Sequence, residues 1–223
     1  MGCHFHLSCR IDHIMMTPDI EQKQQLIDIG SLFYQRQWSV GTSSNYSIRL
    51  REKPLRVLIT ASGKDKGALT TDDFVEVDEQ GIKIGQGDAQ PSAETMLHVV
   101  ALAQPGIQAV LHTHSVWSTI LSDRYAAQGY LEISGYEMLK GLEGIKTHET
   151  TCRIKIFENT QDIGKLAEEV KLLLVDPTQP LRYGFLLRRH GLYTWGKDLF
   201  TARRHAEILE FLFEVQGRVL SMQ

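Results

Sequence analysis

The chain has 223 residues, of which 42% are hydrophobic, and its formal net charge is −3. This length and apolar content suffice for one substantial hydrophobic core. The small net charge, without a long run of one sign, argues against nucleic acid as the main partner. No stretch approaches the roughly 18 apolar residues of a membrane-spanning helix, so we expect no membrane partner. The composition is typical of an enzyme that acts on a small molecule.

The first 16 residues carry cysteines and histidines that superficially resemble a metal cluster. Their spacing matches no standard zinc module and no hydrophobic pattern would hold them in place, so we expect a disordered extension before the domain. Translation could also begin at Met15 or Met16. The segment lacks the apolar stretch of a secretory signal. The three cysteines, an odd number at unpatterned spacing, favour a reduced protein of the cytoplasm.

Residues 17–223 are predicted to form a single α/β domain in which helices flank a mixed sheet. Thr17 and Pro18 are suited to begin a helix that runs to about Trp38. Further helices are predicted at residues 92–104, 116–121, 163–173 and 199–220, the last with Ala206, Leu209, Phe213 and Val219 on one side. Strands are predicted at residues 46–50, 57–61, 75–77, 82–84, 107–111, 152–157, 183–187 and 192–195. Residues 132–138 are ambiguous between strand and helix.

Two short polar segments follow predicted elements, at residues 41–45 and 62–64. Glycine lets a backbone approach a ligand closely, and hydroxyls with free N–H groups can surround an anion. Either segment alone is explained as well by ordinary turn chemistry. Two of them in one small domain favour a site for a phosphate group.

Ser92 is predicted to cap the helix at residues 92–104, which places Glu94 in its first turn. Free N–H groups and the helix dipole favour an anion at this position. Glu94 is therefore either a carboxylate that satisfies the helix dipole or a functional residue, and the sequence leaves both interpretations open.

The strand at residues 107–111 leads into His112 and His114, which project from the same face of an extended chain. They could bind one metal ion, or they could be hydrogen-bonded surface histidines. His190 ends a second apolar strand and is the best candidate for a third ligand. Three neutral imidazoles suit zinc or another divalent first-row metal and leave a coordination position open. The remaining histidines of the domain are His98 and His205, predicted on helix faces with ordinary hydrogen bonds, and His148, in a polar loop without an identifiable partner.

The chain resembles the class II aldolase/adducin-like family from about residue 20 to about residue 215. The resemblance rests on GTSSN at residues 41–45, SG at 62–63, PSAE at 91–94, HTH at 112–114 and RHG at 189–191. Within the family, the chain is most similar to a branch of sugar-phosphate dehydratases. That narrower match rests on residues 60–66, 91–95, 136–141 and 189–196.

The resemblance implies a three-layer α/β/α fold with a mixed, mostly antiparallel sheet. It also implies a homotetramer with active sites near subunit interfaces, and one zinc per subunit, bound by His112, His114 and His190. The substrate would be a small sugar phosphate, with its phosphate bound by loops that match Ser44, Asn45, Ser62, Gly63 and Ser92.

Two glutamates match catalytic residues of the family. Glu94 matches the acid/base of the sugar-phosphate aldolases, and Glu137 matches the acid/base assigned in the dehydratases. We assign proton transfer to Glu137 and expect burial to raise its pKa, because an ordinary carboxylate is a weak base towards a carbon-bound proton. Glu94 would then be a positioning carboxylate or a second acid/base.

Two alternatives to a dehydratase are a class II aldolase that cleaves a carbon–carbon bond and a non-catalytic, adducin-like interaction module. The three histidines argue against the module, since a binding module has no need of an open metal position. The residues also do not determine the identity of the metal, because three histidines would accept iron, cobalt or manganese as well as zinc.

Overall fold

A computed structural model gives the fold of the chain and describes residues 18–176, 178 and 181–222. The predicted extension at residues 1–16 and the proposed cap at Thr17 lie outside the described residues. The helices are α1 Pro18–Gln35, α2 Thr95–Leu102, α3 Val116–Arg124, α4 Ile163–Leu174 and α5 Leu199–Ser221. The strands are β1 Asn45–Arg51, β2 Arg56–Thr60, β3 Phe74–Val77, β4 Lys83–Ile84, β5 Ala109–Thr113, β6 Tyr130–Ser134, β7 Thr151–Phe157, β8 Gly184–Leu187 and β9 Gly191–Gly196.

The described strands form one sheet of nine, in the order β4-β3-β2-β1-β5-β9-β8-β7-β6. Every neighbouring pair is antiparallel except β7 and β8, which are parallel. The predicted mixed, mostly antiparallel sheet is therefore confirmed. β5 lies at its centre and all five of its residues are buried.

Helices cover both faces of the sheet, which confirms the three-layer architecture. One face packs against α2 and α4 through a cluster that includes Leu97, Val100, Leu166 and Val170. The opposite face packs against α1, α3 and α5 in two further clusters. Because side chains alternate along β5, Val110 belongs to the first face, whereas Ala109 and Leu111 belong to the second.

Helix α2 begins three residues later than predicted, at Thr95. The reason is local: Ser92 accepts a hydrogen bond from the Glu94 N–H through its Oγ, and its carbonyl oxygen accepts one from the Thr95 N–H. These bonds form a turn before the helix, so Ser92 is not its N-cap. The predicted buried side of the last helix was also wrong at Val219, which is exposed.

The ambiguous segment at residues 132–138 contains the end of β6 and the start of a short 3-10 helix, Glu137–Gly141. Within the described part of the chain, no helix has the length and apolar content required to cross a membrane.

Candidate active site

The three candidate metal ligands meet at one end of the central strands. His112 lies on β5, His114 follows the end of that strand, and His190 lies in the turn between β8 and β9. β9 pairs with β5, which brings this turn against the His-x-His segment. Gly191 permits the approach, since a Cβ atom there would collide with the carbonyl oxygen of Thr113. Strand pairing thus brings together side chains that are 76 residues apart.

The ring nitrogens of the three histidines face one another. The Nε2 atoms of His112 and His114 are 2.7 Å apart, and the Nε2 of His190 lies 3.2 Å from that of His114. The Nδ1 of His112 lies 2.9 Å from the carbonyl oxygen of Leu192, so this nitrogen carries the proton and donates it. The Nε2 of His112 therefore presents a lone pair to the cluster.

This donor set fits a zinc ion. Tetrahedral nitrogen ligands at zinc distances of about 2.0–2.1 Å lie about 3.3 Å from one another, close to the separations seen here. Burial lowers the pKa of His112 well below its ordinary value, with further lowering by His114 and His190. Burial, followed by the charges of His190 and Lys66, lowers the pKa of His114 to about 4. Both rings are therefore neutral at pH 7, which is the form that binds a metal.

Glu94 is part of this cluster. Its Oε1 lies 3.3 Å from the Nε2 of His190, and its Oε2 lies 3.6 Å from the Nε2 of His112. The Asn45 side chain donates a hydrogen bond to Oε2 at 3.1 Å. Glu94 occupies the N-cap position of α2, yet its side chain makes no capping hydrogen bond. The carboxylate is directed at the histidines, and the interpretation in which it serves only the helix dipole is not supported.

A cavity of about 520 Å³ opens beside the cluster. Ser62, Ser92, Glu94 and His190 line it, together with residues 159–164 at the start of α4. Gly63 follows Ser62 with a φ of +70° and open space around its Cα. The cavity is polar and large enough for a small phosphorylated substrate.

The five predicted phosphate-binding residues are thus not equivalent in the structure. Ser62, Gly63 and Ser92 lie at or beside the cavity. Asn45 contacts Glu94 instead. Ser44 is buried, and its Oγ lies 3.5 Å from the carbonyl oxygen of Trp38.

Within one chain, Glu137 is not brought to the histidine cluster. Its side chain is 69% exposed and pairs with Lys140, at 2.6 Å, and with His148, at 3.2 Å. The hydrogen bond from Lys140 is the main cause of a lowered Glu137 pKa. The expectation that burial would raise this pKa is wrong for the single chain, because the carboxylate lies at the surface beside two bases. The interpretation of His148 as a residue without a partner is also wrong.

The other two histidines are placed as expected. His98, on α2, is hydrogen-bonded to Ser47 at 2.7 Å. His205, on α5, is hydrogen-bonded to the carbonyl oxygen of Trp195 at 2.8 Å.

The structure adds site residues that the sequence did not identify. The Tyr193 ring stacks on His112 with ring centroids 3.9 Å apart, and the Asn159 Oδ1 lies 3.4 Å from the Nδ1 of His190. Tyr193 lies within the strand predicted at residues 192–195, but only the strand register places it opposite His112. Asn159 follows the end of β7, and nothing in the sequence relates it to His190.

Glu210 is a buried carboxylate behind the metal ligands. It lies on α5, is 2% exposed, and accepts a hydrogen bond from the hydroxyl of Thr113, the residue between His112 and His114. Burial raises the pKa of Glu210 from 4.5 to about 7, and hydrogen bonds from Ser115 and Thr113 reduce the shift. Folding therefore favours the protonated carboxyl group.

We expect Glu210→Gln to weaken the pH dependence of stability. Because the pKa of Glu210 is higher in the folded state, protonation of this carboxyl group stabilises the folded protein. The stabilisation is fully present below pH 4.5 and is lost as the pH rises through about 7. From pH 5 to pH 8 the free energy of unfolding of the wild type should fall by about 2.5 kcal/mol relative to the glutamine variant. Urea unfolding at several pH values measures this difference.

The matched control is Glu214→Gln, one turn further along α5, where the carboxylate is 44% exposed and pairs with Arg218. Its stability curve should follow that of the wild type. Parallel curves for wild type and Glu210→Gln would mean that Glu210 does not titrate in this range.

Comparison with known sequences identifies the family of the chain. The profile of the Class II Aldolase and Adducin N-terminal domain matches residues 24–217. A methylthioribulose-1-phosphate dehydratase of Pseudomonas fluorescens is 46% identical over 200 residues, which are 89% of this chain and 93% of that protein. The enzyme of the same name from Marinobacter nauticus is 45% identical over 195 residues, 86% of this chain and 91% of its own.

Solved structures with the same fold are more distant in sequence. YgbL from Escherichia coli superposes with a TM-score of 0.75 at 24% identity, over 89% of both chains. An L-fuculose 1-phosphate aldolase superposes with a TM-score of 0.72 at 22% identity, over 93% of this chain and 89% of that one. At this level of identity the likeness establishes the fold and does not identify the reaction.

Proposed function

The chain belongs to the class II aldolase and adducin family, and we propose that it is a zinc-dependent methylthioribulose-1-phosphate dehydratase of methionine salvage in the cytoplasm. The observation that carries the proposal is the cluster of three imidazoles with Glu94 beside it, in a chain 46% identical to an enzyme of that name. The reaction removes water from 5-methylthioribulose-1-phosphate and gives 2,3-diketo-5-methylthiopentyl-1-phosphate.

We propose that His112, His114 and His190 bind one zinc ion per subunit. Three neutral nitrogens satisfy zinc and leave a position for the substrate, as a catalytic site requires. A bound ion supplies Lewis-acid stabilisation of negative charge on a substrate oxygen. Two neighbours orient the ligands. The carbonyl oxygen of Leu192 contacts the Nδ1 of His112, and the Asn159 side chain contacts the Nδ1 of His190.

The chain's carboxylates carry the proton transfers in this proposal. The substrate has a ketone at C2, which makes the C3 hydrogen acidic, and a hydroxyl at C4. Glu137 takes the C3 proton and then returns a proton to the C4 hydroxyl, which leaves as water, while Glu94 is a positioning carboxylate or a second acid/base. The resulting enol tautomerises to the 2,3-diketone, so the carbon skeleton stays intact.

The phosphate group is assigned to the cavity beside the cluster. Ser62 and Ser92 offer hydroxyl groups there, and Gly63 leaves space for the approach of an anion. Ser44 and Asn45 support this arrangement from one side, since the Ser44 hydroxyl lies 3.5 Å from the carbonyl oxygen of Trp38 and Asn45 holds the Glu94 carboxylate.

We further propose that Glu137 acts in the active site of a neighbouring copy within a homotetramer. In the single chain it is exposed, and Lys140 and His148 hold it at the surface. Met138, next to it, exposes 37% of its apolar side chain, as expected at a contact between subunits. A carboxylate presented in this way can complete a site on another copy.

Turnover of two substrates tests the function. We expect the zinc-loaded enzyme to convert methylthioribulose-1-phosphate to the diketone and water, detected by mass spectrometry and NMR, and to lose this activity when a chelator removes the metal. L-Fuculose-1-phosphate is the comparison substrate. Release of dihydroxyacetone phosphate from it, without diketone formation, would identify an aldolase instead. A purified protein that binds no metal and turns over neither substrate would favour the non-catalytic interaction module.

A further inference from the structure

Tyr193 lies in a row of aromatic and polar side chains that crosses the centre of the sheet. Phe185, Tyr193, His112 and Asn45 are successive partners on β8, β9, β5 and β1. The Tyr193 ring stacks on Phe185 on one side, at 4.8 Å and 12°, and on His112 on the other, at 3.9 Å and 14°. Clamped between two rings, it has little freedom to rotate.

The hydroxyl group of Tyr193 is buried and makes no hydrogen bond of ordinary length and angle to any described residue. A buried hydroxyl without a partner is costly, so such a group in a native protein calls for a specific explanation. The packing of the ring is already complete and would be equally good for phenylalanine. The hydroxyl is therefore the part of this side chain that packing does not explain.

The Glu94 carboxylate lies near this hydroxyl. The Glu94 Oε2 lies 3.6 Å from the Nε2 of His112, the ring on which Tyr193 stacks. His98, one turn after Glu94, faces the Tyr193 ring edge-on at 5.5 Å between centroids. Two residues of β1 hold this part of α2 in place: Asn45 bonds Glu94 and Ser47 bonds His98.

We propose that the Tyr193 hydroxyl donates a hydrogen bond to the Glu94 carboxylate during the reaction and is a positioning residue for that acid/base. Asn45 on β1 and Tyr193 on β9 then hold the carboxylate from two strands that flank β5, the strand that carries His112. Two donors on rigid strands fix the direction of the carboxylate towards the substrate before it reacts. The inference rests on the proposed function, since it concerns the acid/base of that reaction.

Tyr193→Phe tests the inference because it removes the hydroxyl and keeps the stacked ring. We expect kcat for the dehydration to fall about 10- to 100-fold, the usual cost of a lost hydrogen bond to a charged group. KM should stay within about threefold of the wild-type value, because the hydroxyl does not bind the substrate. Zinc content by mass spectrometry should be unchanged, since Tyr193 is not a ligand.

A double-mutant cycle with Glu94→Gln, measured in single turnovers with excess enzyme, separates positioning from a structural role. In that background Tyr193→Phe should change the rate by less than about twofold, because the carboxylate it positions is gone. An equal loss in both backgrounds would overturn the inference and would point to His98 as the partner of the hydroxyl. A Tyr193→Phe variant that has wild-type kcat, or that loses zinc, would also overturn it.

Tyr183→Phe is the matched control. Tyr183 is likewise buried next to β9, but its hydroxyl donates to the carbonyl oxygen of Glu143, away from the three candidate metal ligands. Its kcat should equal that of the wild type. A wild-type enzyme without dehydratase activity would refute the proposed function itself. An active wild type with an equally active Tyr193→Phe variant would refute only the role of the hydroxyl.

Discussion

Glu137→Gln is expected to lower kcat by about 10²- to 10⁴-fold, the usual contribution of a general acid or base, while the protein keeps its zinc. The change preserves the size of the side chain and removes only its ability to take up a proton. Because Glu137 is exposed and its bonds to Lys140 and His148 are at the surface, stability should change little. Steady-state kinetics and metal analysis of the purified variant measure both effects.

Mixed oligomers show whether Glu137 acts within its own chain. Co-expressed Glu137→Gln and His112→Ala copies are each inactive alone, since one lacks the base and the other a metal ligand. If Glu137 acts across a subunit interface, about a quarter of the sites in a random mixture combine an intact histidine cluster with an intact Glu137. No recovery of activity would place Glu137 in its own chain's site. If the Glu137→Gln variant is active and the Glu94→Gln variant is inactive, Glu94 is the acid/base and not Glu137.

The sequence predicted the layers and strands well because their signals are local. Alternating apolar residues and turn residues mark every strand except β6, where the pattern is ambiguous, and the apolar run before His112 marks the central strand. The start of α2 was misplaced because the Ser92 hydroxyl satisfies the Glu94 N–H in a preceding turn, a choice that capping preferences alone do not resolve.

Pairings between distant strands explain what the sequence could not predict about the site. The metal ligands could be proposed, since histidines at strand ends have a recognisable pattern. The stacking of Tyr193 on His112 depends on the register of β5 and β9, and the bond from Thr113 to Glu210 depends on how α5 crosses the sheet. The location of Glu137 at the surface depends on the fold as a whole and, in our proposal, on a second copy of the chain.

His112→Ala is expected to abolish stoichiometric zinc binding and, with it, turnover. His112 is fully buried, its Nε2 faces the other two ligands, and Leu192 holds its Nδ1. Loss of residues that merely orient a ligand lowers metal affinity by about 10- to 100-fold, so loss of the ligand itself should cost more. Titration with zinc against a competing chelator measures the affinity, and His114→Ala and His190→Ala should each show a comparable loss.

His190→Ala is the most informative of the three variants. Its side chain is 15% exposed, so its removal disturbs the core less than removal of His112, and lost zinc can be assigned to a lost ligand and not to unfolding. His148→Ala is the control for metal content, since that exposed histidine lies apart from the cluster of its own chain and is not proposed as a ligand. Full zinc occupancy in any of the three variants would exclude that residue as a ligand. The proposed set of three ligands with one open coordination position would then be wrong.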